Sequence, residues 1–171
     1  MTRSFRLDTA WDKALVKLAE EKGTSVSSLL EIILRDYILF YRWAEELDSL
    51  IFSPSTIKML IDSLSEEELL ELSRKTAKIT FEESYLRRGD SLTLDTVKFQ
   101  ITEQMGKYAH WFKVDEFNEN THYFYIHQEL GKKWGIFVQA YITALLENIG
   151  EVDVKSEIIG ENIIININKG R

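Results

Sequence analysis

Residues 111–127, WFKVDEFNENTHYFYIH, decide the fold class, because the hydrophobic pattern changes there from helical to alternating. Residues 111–117 and 122–127 both alternate between apolar and polar side chains, as half-buried strands do. Between them lies the polar stretch NENT at 118–121, which is typical of a turn. The stretch therefore predicts a β-hairpin.

The chain on either side of this hairpin completes a domain. Residues 91–110 and 128–150 have the apolar spacing of helices, and the runs at 152–159 and 162–168 alternate again across Gly160. The predicted order is helix, hairpin, helix, hairpin. Such an order predicts an α+β class in which a four-stranded antiparallel sheet packs against helices.

Upstream of residue 91 the sequence is helical in pattern. Trp11, Leu15 and Leu18 form one apolar stripe, and the run from Ser25 into the forties is apolar on a wide face. Two further helices are predicted around 55–64 and 65–88. We predict three parts: residues 1–48, a helical connector at 49–90, and an α+β regulatory or assembly domain at 91–171.

The first 42 residues suggest a family. The strand-like SFRLD at 4–8 precedes an amphipathic helix, and KGTSVSS at 22–28 opens the second apolar helix. This arrangement resembles the ribbon-helix-helix repressors of the Arc and MetJ class, whose paired strands read the DNA major groove as a two-stranded ribbon. The resemblance implies a homodimer or tetramer bound to a double-stranded DNA operator.

The resemblance also implies DNA contacts. The outward residues of the strand would read bases, and Arg6 is the best candidate because a guanidinium can bond guanine in a bidentate pair. The free N–H groups at the start of the second helix would hold a phosphate. The implied base readers are Thr2, Ser4 and Arg6, and the implied phosphate contacts are Arg3, Ser25, Val26 and Ser27.

The C-terminal part is rich in aromatic residues, which supports two interpretations. In one, they line a pocket for a small apolar or planar effector, formed by Trp111, Trp134, Tyr141 and His127. In the other, they are the ordinary contents of a hydrophobic core. The histidines His110, His122 and His127 are close in sequence, but His122 and His127 fall on opposite faces of a strand, so we predict no metal site.

Composition excludes several classes of function. The net charge of −7 disfavours a general nucleic-acid or membrane-surface binder. There is no cysteine, hence no disulfide or cysteine-based zinc site, and no sequence motif of a catalytic nucleophile or phosphate loop is present. We therefore expect a cytoplasmic protein without membrane contact, without a cofactor and without enzymatic activity.

Together these patterns predict a sequence-specific transcription regulator, by default a repressor, whose C-terminal domain senses a ligand or mediates assembly. One alternative is an antitoxin-like DNA binder that sequesters a partner protein. Another is a ligand-binding scaffold in which the ribbon serves only for dimerisation.

Overall fold

The computed structural model of the chain describes residues 6–86, 89, 91–118, 122–150 and 152–169. The chain divides into two compact units, Met1–Ser49 and Leu50–Arg171. We call them unit 1 and unit 2, and each is described by itself.

Unit 1 is helical in its described part. α1 begins after Asp8, whose side chain accepts the N–H of Ala10 at 2.8 Å. Such a cap satisfies one of the free donors of the first turn. The chain turns at Gly23, which has a positive φ of 62° that glycine adopts without strain. The elements are α1 (Thr9–Glu21), α2 (Val26–Asp36), a first π-helical segment (Tyr37–Tyr41) and α3 (Arg42–Glu46).

The predicted N-terminal strand is not formed in the part of it that the structure describes. Residues 6–8 have no regular secondary structure, and Leu7 is 38% exposed. The remaining residues of that predicted strand, 2–5, lie outside the described residues. An isolated strand has no ladder to satisfy its backbone groups, so local alternation alone does not stabilise one.

Unit 2 begins with helices whose ends carry clear caps. Ser53 accepts the N–H of Thr56 and Pro54 occupies the first helical position of α4. Ser65 and Glu68 form a reciprocal capping box before α5. The helices are α4 (Pro54–Asp62), α5 (Glu66–Thr80) with a second π segment (Phe81–Leu86), and α6 (Leu94–Phe99) with a third π segment (Gln100–Tyr108).

Four antiparallel strands are described in unit 2, in the spatial order β1-β2-β4-β3. Gly160 has a φ of 62° and lies in the short turn that joins β3 to β4. The central strands pair with Phe124 opposite Ile165 and Ile126 opposite Ile163. The strands are β1 (Lys113–Asn118), β2 (His122–His127), β3 (Val152–Ile159) and β4 (Asn162–Lys169).

α7 (Lys132–Glu147) is the centre of unit 2. It packs against β3 and β4 on one side and against α5 and α6 on the other. Its side chains are therefore buried around most of its circumference, from Trp134 to Leu146. The predicted α+β class and the four-stranded antiparallel sheet are confirmed.

Among the described residues, no helix combines the length and the apolar composition that crossing a membrane requires.

Candidate functional site

Three aromatic side chains stack along one side of α7. The ring centroids of Trp134 and Phe137 are 5.3 Å apart, and those of Phe137 and Tyr141 are 6.0 Å apart, both in stacked orientation. Their spacing of three and four residues brings them to one face of the helix. All three are buried. α7 thus presents a continuous column of flat apolar surface.

Trp111 covers this column. Its ring centroid lies 5.4 Å from that of Trp134, 6.2 Å from that of Phe137 and 5.6 Å from that of Tyr141. The Nε1–H of Trp134 donates to the Trp111 carbonyl oxygen at 3.1 Å, which fixes both residues. Trp111 itself is only partly buried. We call Trp111, Trp134, Phe137 and Tyr141 the aromatic cluster.

A chain of hydrogen bonds ends in the aromatic cluster. The Tyr141 hydroxyl donates to Thr80 Oγ1 at 3.0 Å and accepts from Gln100 Nε2 at 3.4 Å. The Tyr85 hydroxyl in turn donates to Gln100 Oε1. Buried polar groups need such partners, because an unpaired one keeps its full desolvation cost. We call Tyr85, Gln100, Tyr141 and Thr80 the polar chain.

Burial raises the pKa of Tyr141 to about 12, although its hydrogen bonds with Thr80 and Gln100 act in the opposite direction. Desolvation disfavours the phenolate, whereas a hydrogen-bond donor stabilises it. The hydroxyl is therefore neutral throughout the physiological pH range. The polar chain consequently contains no charged group.

The polar chain joins two interruptions of regular α-helix. Thr80 is the last residue of α5, Tyr85 lies in the second π segment, and Gln100 begins the third. π-helical turns are rare and occur frequently at functional sites. Here they position side chains from two helices against the same hydroxyl of α7.

The loop that carries Trp111 is strained. His110, directly before it, has a φ of 54°, which is uncommon for a residue with a side chain. The Trp111 N–H donates to the Met105 carbonyl at 3.0 Å, across the end of the third π segment. Trp111 is thus attached to a sharp turn at the surface of the aromatic cluster.

The structure brings three of the four predicted pocket residues together, namely Trp111, Trp134 and Tyr141. His127 is elsewhere, because Ile126 faces the core and the next residue of a strand faces away. The Nδ1 of His127 lies 2.9 Å from Asn162 Oδ1 on that outer face. It is therefore not part of the aromatic cluster.

Of the residues in the polar chain, only Tyr141 was predicted from the sequence. Thr80 and Tyr85 come from one stretch of sequence and Gln100 from another, and no local pattern links them to Tyr141. One indication was present: Gln100 follows Val97 by three residues, on the apolar stripe of its helix. A polar residue on a buried stripe indicates a buried hydrogen bond.

The predicted DNA-contacting strand lies mostly outside the described residues. Thr2, Arg3 and Ser4 lie outside the described residues. Arg6 is exposed in the irregular segment that precedes α1.

At the start of α2, where the phosphate site was predicted, Ser25 caps the helix. Ser25 Oγ accepts the N–H of Ser28 at 3.1 Å and lies 2.9 Å from its hydroxyl. Val26 is half-buried and Ser27 is exposed. A serine at this position stabilises a helix whether or not a ligand is present.

In the part of the chain that the structure describes, no three histidine or acidic side chains come together in a group that could hold a metal ion.

Comparison with known proteins identifies no family. No family model matches the chain, and no curated protein matches it. Among solved structures, the chain is similar to a point mutant of an H-NOX protein from K. algicida in its Fe(II) unliganded form. The sequence identity is 15% and the TM-score 0.49, over 71% of this chain and 76% of that one. Similarity at this sequence identity and TM-score assigns neither a ligand nor a function to this chain.

The predicted ribbon-helix-helix identity is corrected: no family model or curated protein of that class matches the chain, and the solved structure to which it is similar is described as an H-NOX protein. The transcriptional repressor function and the double-stranded DNA operator followed from that resemblance, and both are corrected with it. The prediction of a homodimer or tetramer bound to an operator is corrected for the same reason. Of the required strand, the described residues 6–8 have no regular secondary structure.

Proposed function

We propose that unit 2 is a binding module for a small planar ligand, which is held in the aromatic cluster. The observation that carries the proposal is the position of Trp111, partly exposed and in contact with three buried aromatic rings. Binding sites for small molecules are mostly apolar and contain a few polar groups that fix orientation. The aromatic cluster and the polar chain together have this composition.

The ligand enters as the Trp111 indole swings outward, and the indole then closes over the bound ligand. Its indole is the least buried ring of the aromatic cluster, and it follows a residue in a strained conformation. Strain at such a turn lowers the cost of leaving the closed conformation. The rings of Trp134, Phe137 and Tyr141 then offer flat surfaces, and aromatic pairs gain energy beyond simple burial.

The module binds its ligand without chemical conversion and works in the cytoplasm. The polar chain supports the first statement, because its hydroxyl and amide groups satisfy one another and none is a poised nucleophile or base. The lack of cysteine in the chain is in keeping with a reducing compartment.

The experiment is a titration of the full chain with indole, an uncharged planar molecule, followed by ligand-observed NMR. Trp111→Ala removes the covering ring, and we expect binding to weaken by about tenfold or more, equivalent to about 1.4 kcal/mol. Trp11→Ala is the matched control, since Trp11 is a 68% exposed tryptophan in unit 1. We expect the control to bind indole as the wild type does.

Two results contradict the proposal. One is the absence of indole binding by the wild-type chain. The other is an equal loss of binding in Trp111→Ala and Trp11→Ala, which would mean nonspecific adsorption to exposed tryptophan.

A further inference from the structure

The polar chain is well shielded from water. Tyr141, Tyr85 and Gln100 are 2%, 5% and 7% exposed, respectively. Each carries a hydroxyl or a carboxamide, and none carries a charge. A charged ligand group placed there would lose its hydration and meet no counter-charge on these side chains, which is costly.

One link of the polar chain is weaker than the others. The distance between Gln100 Nε2 and Tyr141 Oη is 3.4 Å, whereas Tyr141 Oη and Thr80 Oγ1 are 3.0 Å apart. A donor–acceptor distance beyond about 3.2 Å is long for an N–H···O bond. This link is therefore the one that a ligand replaces at the smallest cost.

Breaking the hydrogen bond between Gln100 and Tyr141 leaves one donor and one acceptor available to a ligand. Gln100 is left with a free N–H donor, while its Oε1 stays bonded to Tyr85. Tyr141 still donates to Thr80 and is left with an acceptor lone pair on its oxygen. A ligand that matches must therefore carry an acceptor and a donor side by side.

We propose that the aromatic cluster selects an uncharged planar ligand with an amide-like edge, whose carbonyl accepts from Gln100 and whose N–H donates to Tyr141. This inference rests on the proposed function and adds the chemical class of the ligand. Gln100 is the residue that determines specificity, because its amide presents the donor. The aromatic rings supply contact area without discriminating between ligands of similar shape.

Three probes of nearly the same shape test the inference: benzamide, benzoate and benzamidine, which are neutral, anionic and cationic near pH 7. Each is titrated into the full-length chain and followed by ligand-observed NMR, with indole as the positive control. We expect benzamide to bind at least about tenfold more tightly than either charged probe, since an unpaired buried charge is penalised heavily.

Substitution of Gln100 by glutamate provides the second arm. Gln100→Glu replaces the amide donor by a carboxylate, so we expect it to weaken benzamide binding and to make benzamidine the preferred probe. Gln104→Glu is the matched control, because Gln104 is also buried and lies in the same π segment but outside the polar chain. We expect the control to retain the preference for benzamide.

The outcomes separate the two proposals. If indole does not bind, the proposed function fails and the inference fails with it. If indole binds but benzamide is not preferred over benzoate and benzamidine, the inference is overturned and the proposed function stands. The wild-type comparison decides this even if Gln100→Glu does not fold. A folded Gln100→Glu variant that still prefers benzamide also overturns the role of Gln100.

Discussion

Unit 1 and unit 2 differ in how completely their own described residues bury apolar side chains. In unit 1, only Ala19 and Leu29 are buried among the described apolar residues, and several large ones are exposed, including Trp11, Ile33, Leu34, Ile38 and Tyr41. In unit 2, one continuous core runs from α4 and α5 through α6 and α7 to the sheet. Both units nevertheless have helices with clear amphipathic patterns.

Hydrophobic periodicity thus predicts a helix or strand, but it does not predict which residues cover its apolar face. The stripe of α1 and α2 predicted their helices, yet the described residues leave much of that stripe exposed. In unit 2 the stripes of α5, α6 and α7 face one another, and the sheet closes the remaining side. A buried polar chain can form only in such a closed environment, since water would compete for its hydrogen bonds.

The largest effect expected from this comparison is on stability. Ile126→Ala in unit 2 removes a fully buried side chain and should cost about 2–5 kcal/mol of unfolding free energy. Ile33→Ala in unit 1 changes a side chain that is 42% exposed and should cost about 0.5 kcal/mol. Urea unfolding of both variants measures the difference. An equal loss would break the comparison, because it would mean that Ile33 is covered by something beyond the described residues.

Stability at alkaline pH compares the buried hydroxyl of Tyr141 in unit 2 with the exposed hydroxyl of Tyr37 in unit 1. The pKa of Tyr141 is raised to about 12 chiefly by burial, while the pKa of Tyr37 is raised chiefly by its hydrogen bond to Glu45. The folded state therefore keeps the Tyr141 proton between pH 10 and 12, where the unfolded state loses it. The contribution of Tyr141 to stability is complete below pH 10 and decreases as pH rises to 12.

The measurement is unfolding free energy against pH. Wild type should lose up to about 1.4 kcal/mol per pH unit more than Tyr141→Phe between pH 10 and 12. Tyr37→Phe is the exposed counterpart, and it should reduce the loss of stability above pH 10 less than Tyr141→Phe does. Identical curves for wild type and Tyr141→Phe would show that the Tyr141 hydroxyl is not buried as described.

Close packing in unit 2 gives a smaller effect. A Cβ added at Gly106 would lie 2.8 Å from Val114 Cγ1, so Gly106→Ala forces the third π segment and β1 apart. We expect a loss of about 1–2 kcal/mol, because overpacking strains stiff side chains. Val114→Ala in the same chain removes the collision and should restore part of the loss. In unit 1, Gly23→Ala is also destabilising but through its positive φ, so no partner substitution should rescue it.

The smallest effect concerns the surface of unit 2. Lys132 Nζ lies 2.7 Å from Glu66 Oε1, and this hydrogen bond holds the pKa of the Glu66 carboxyl below its usual range. Lys132→Met should raise the pKa of Glu66 toward that range, as read by NMR titration of its side chain. The pair stabilises the fold above the carboxyl's ordinary pKa, and the contribution is lost as pH falls. An unchanged Glu66 pKa in Lys132→Met would refute the contact.

The sheet and the central helix of unit 2 could be predicted from the sequence because their patterns are local. Phe124 and Ile126 alternate with less buried neighbours along β2, and Ile163 and Ile165 do so along β4. Alternation of this length has one physical explanation, a sheet with one face in the core. The strand at the N-terminus had the same local pattern but no partner in the sequence, and residues 6–8 show that pattern alone was insufficient.

Of the candidate site, only residues of the aromatic cluster could be predicted from the sequence. The density of aromatic residues indicated Trp111, Trp134 and Tyr141, and the structure brings these three together. Gln100 and Thr80 reach Tyr141 from helices that are distant in sequence, and only the packing of α5, α6 and α7 brings them there. Their contribution could not be read from local patterns.

The most direct test of the account uses the four tryptophans of the chain, Trp11 and Trp43 in unit 1 and Trp111 and Trp134 in unit 2. Each indole N–H gives one signal in a ¹⁵N NMR spectrum, so a titration with indole reports on both units at once. The account predicts that the signals of Trp111 and Trp134 shift in a saturable manner while those of Trp11 and Trp43 stay in place. Shifts confined to Trp11 and Trp43, or no saturable shift at all, would contradict it.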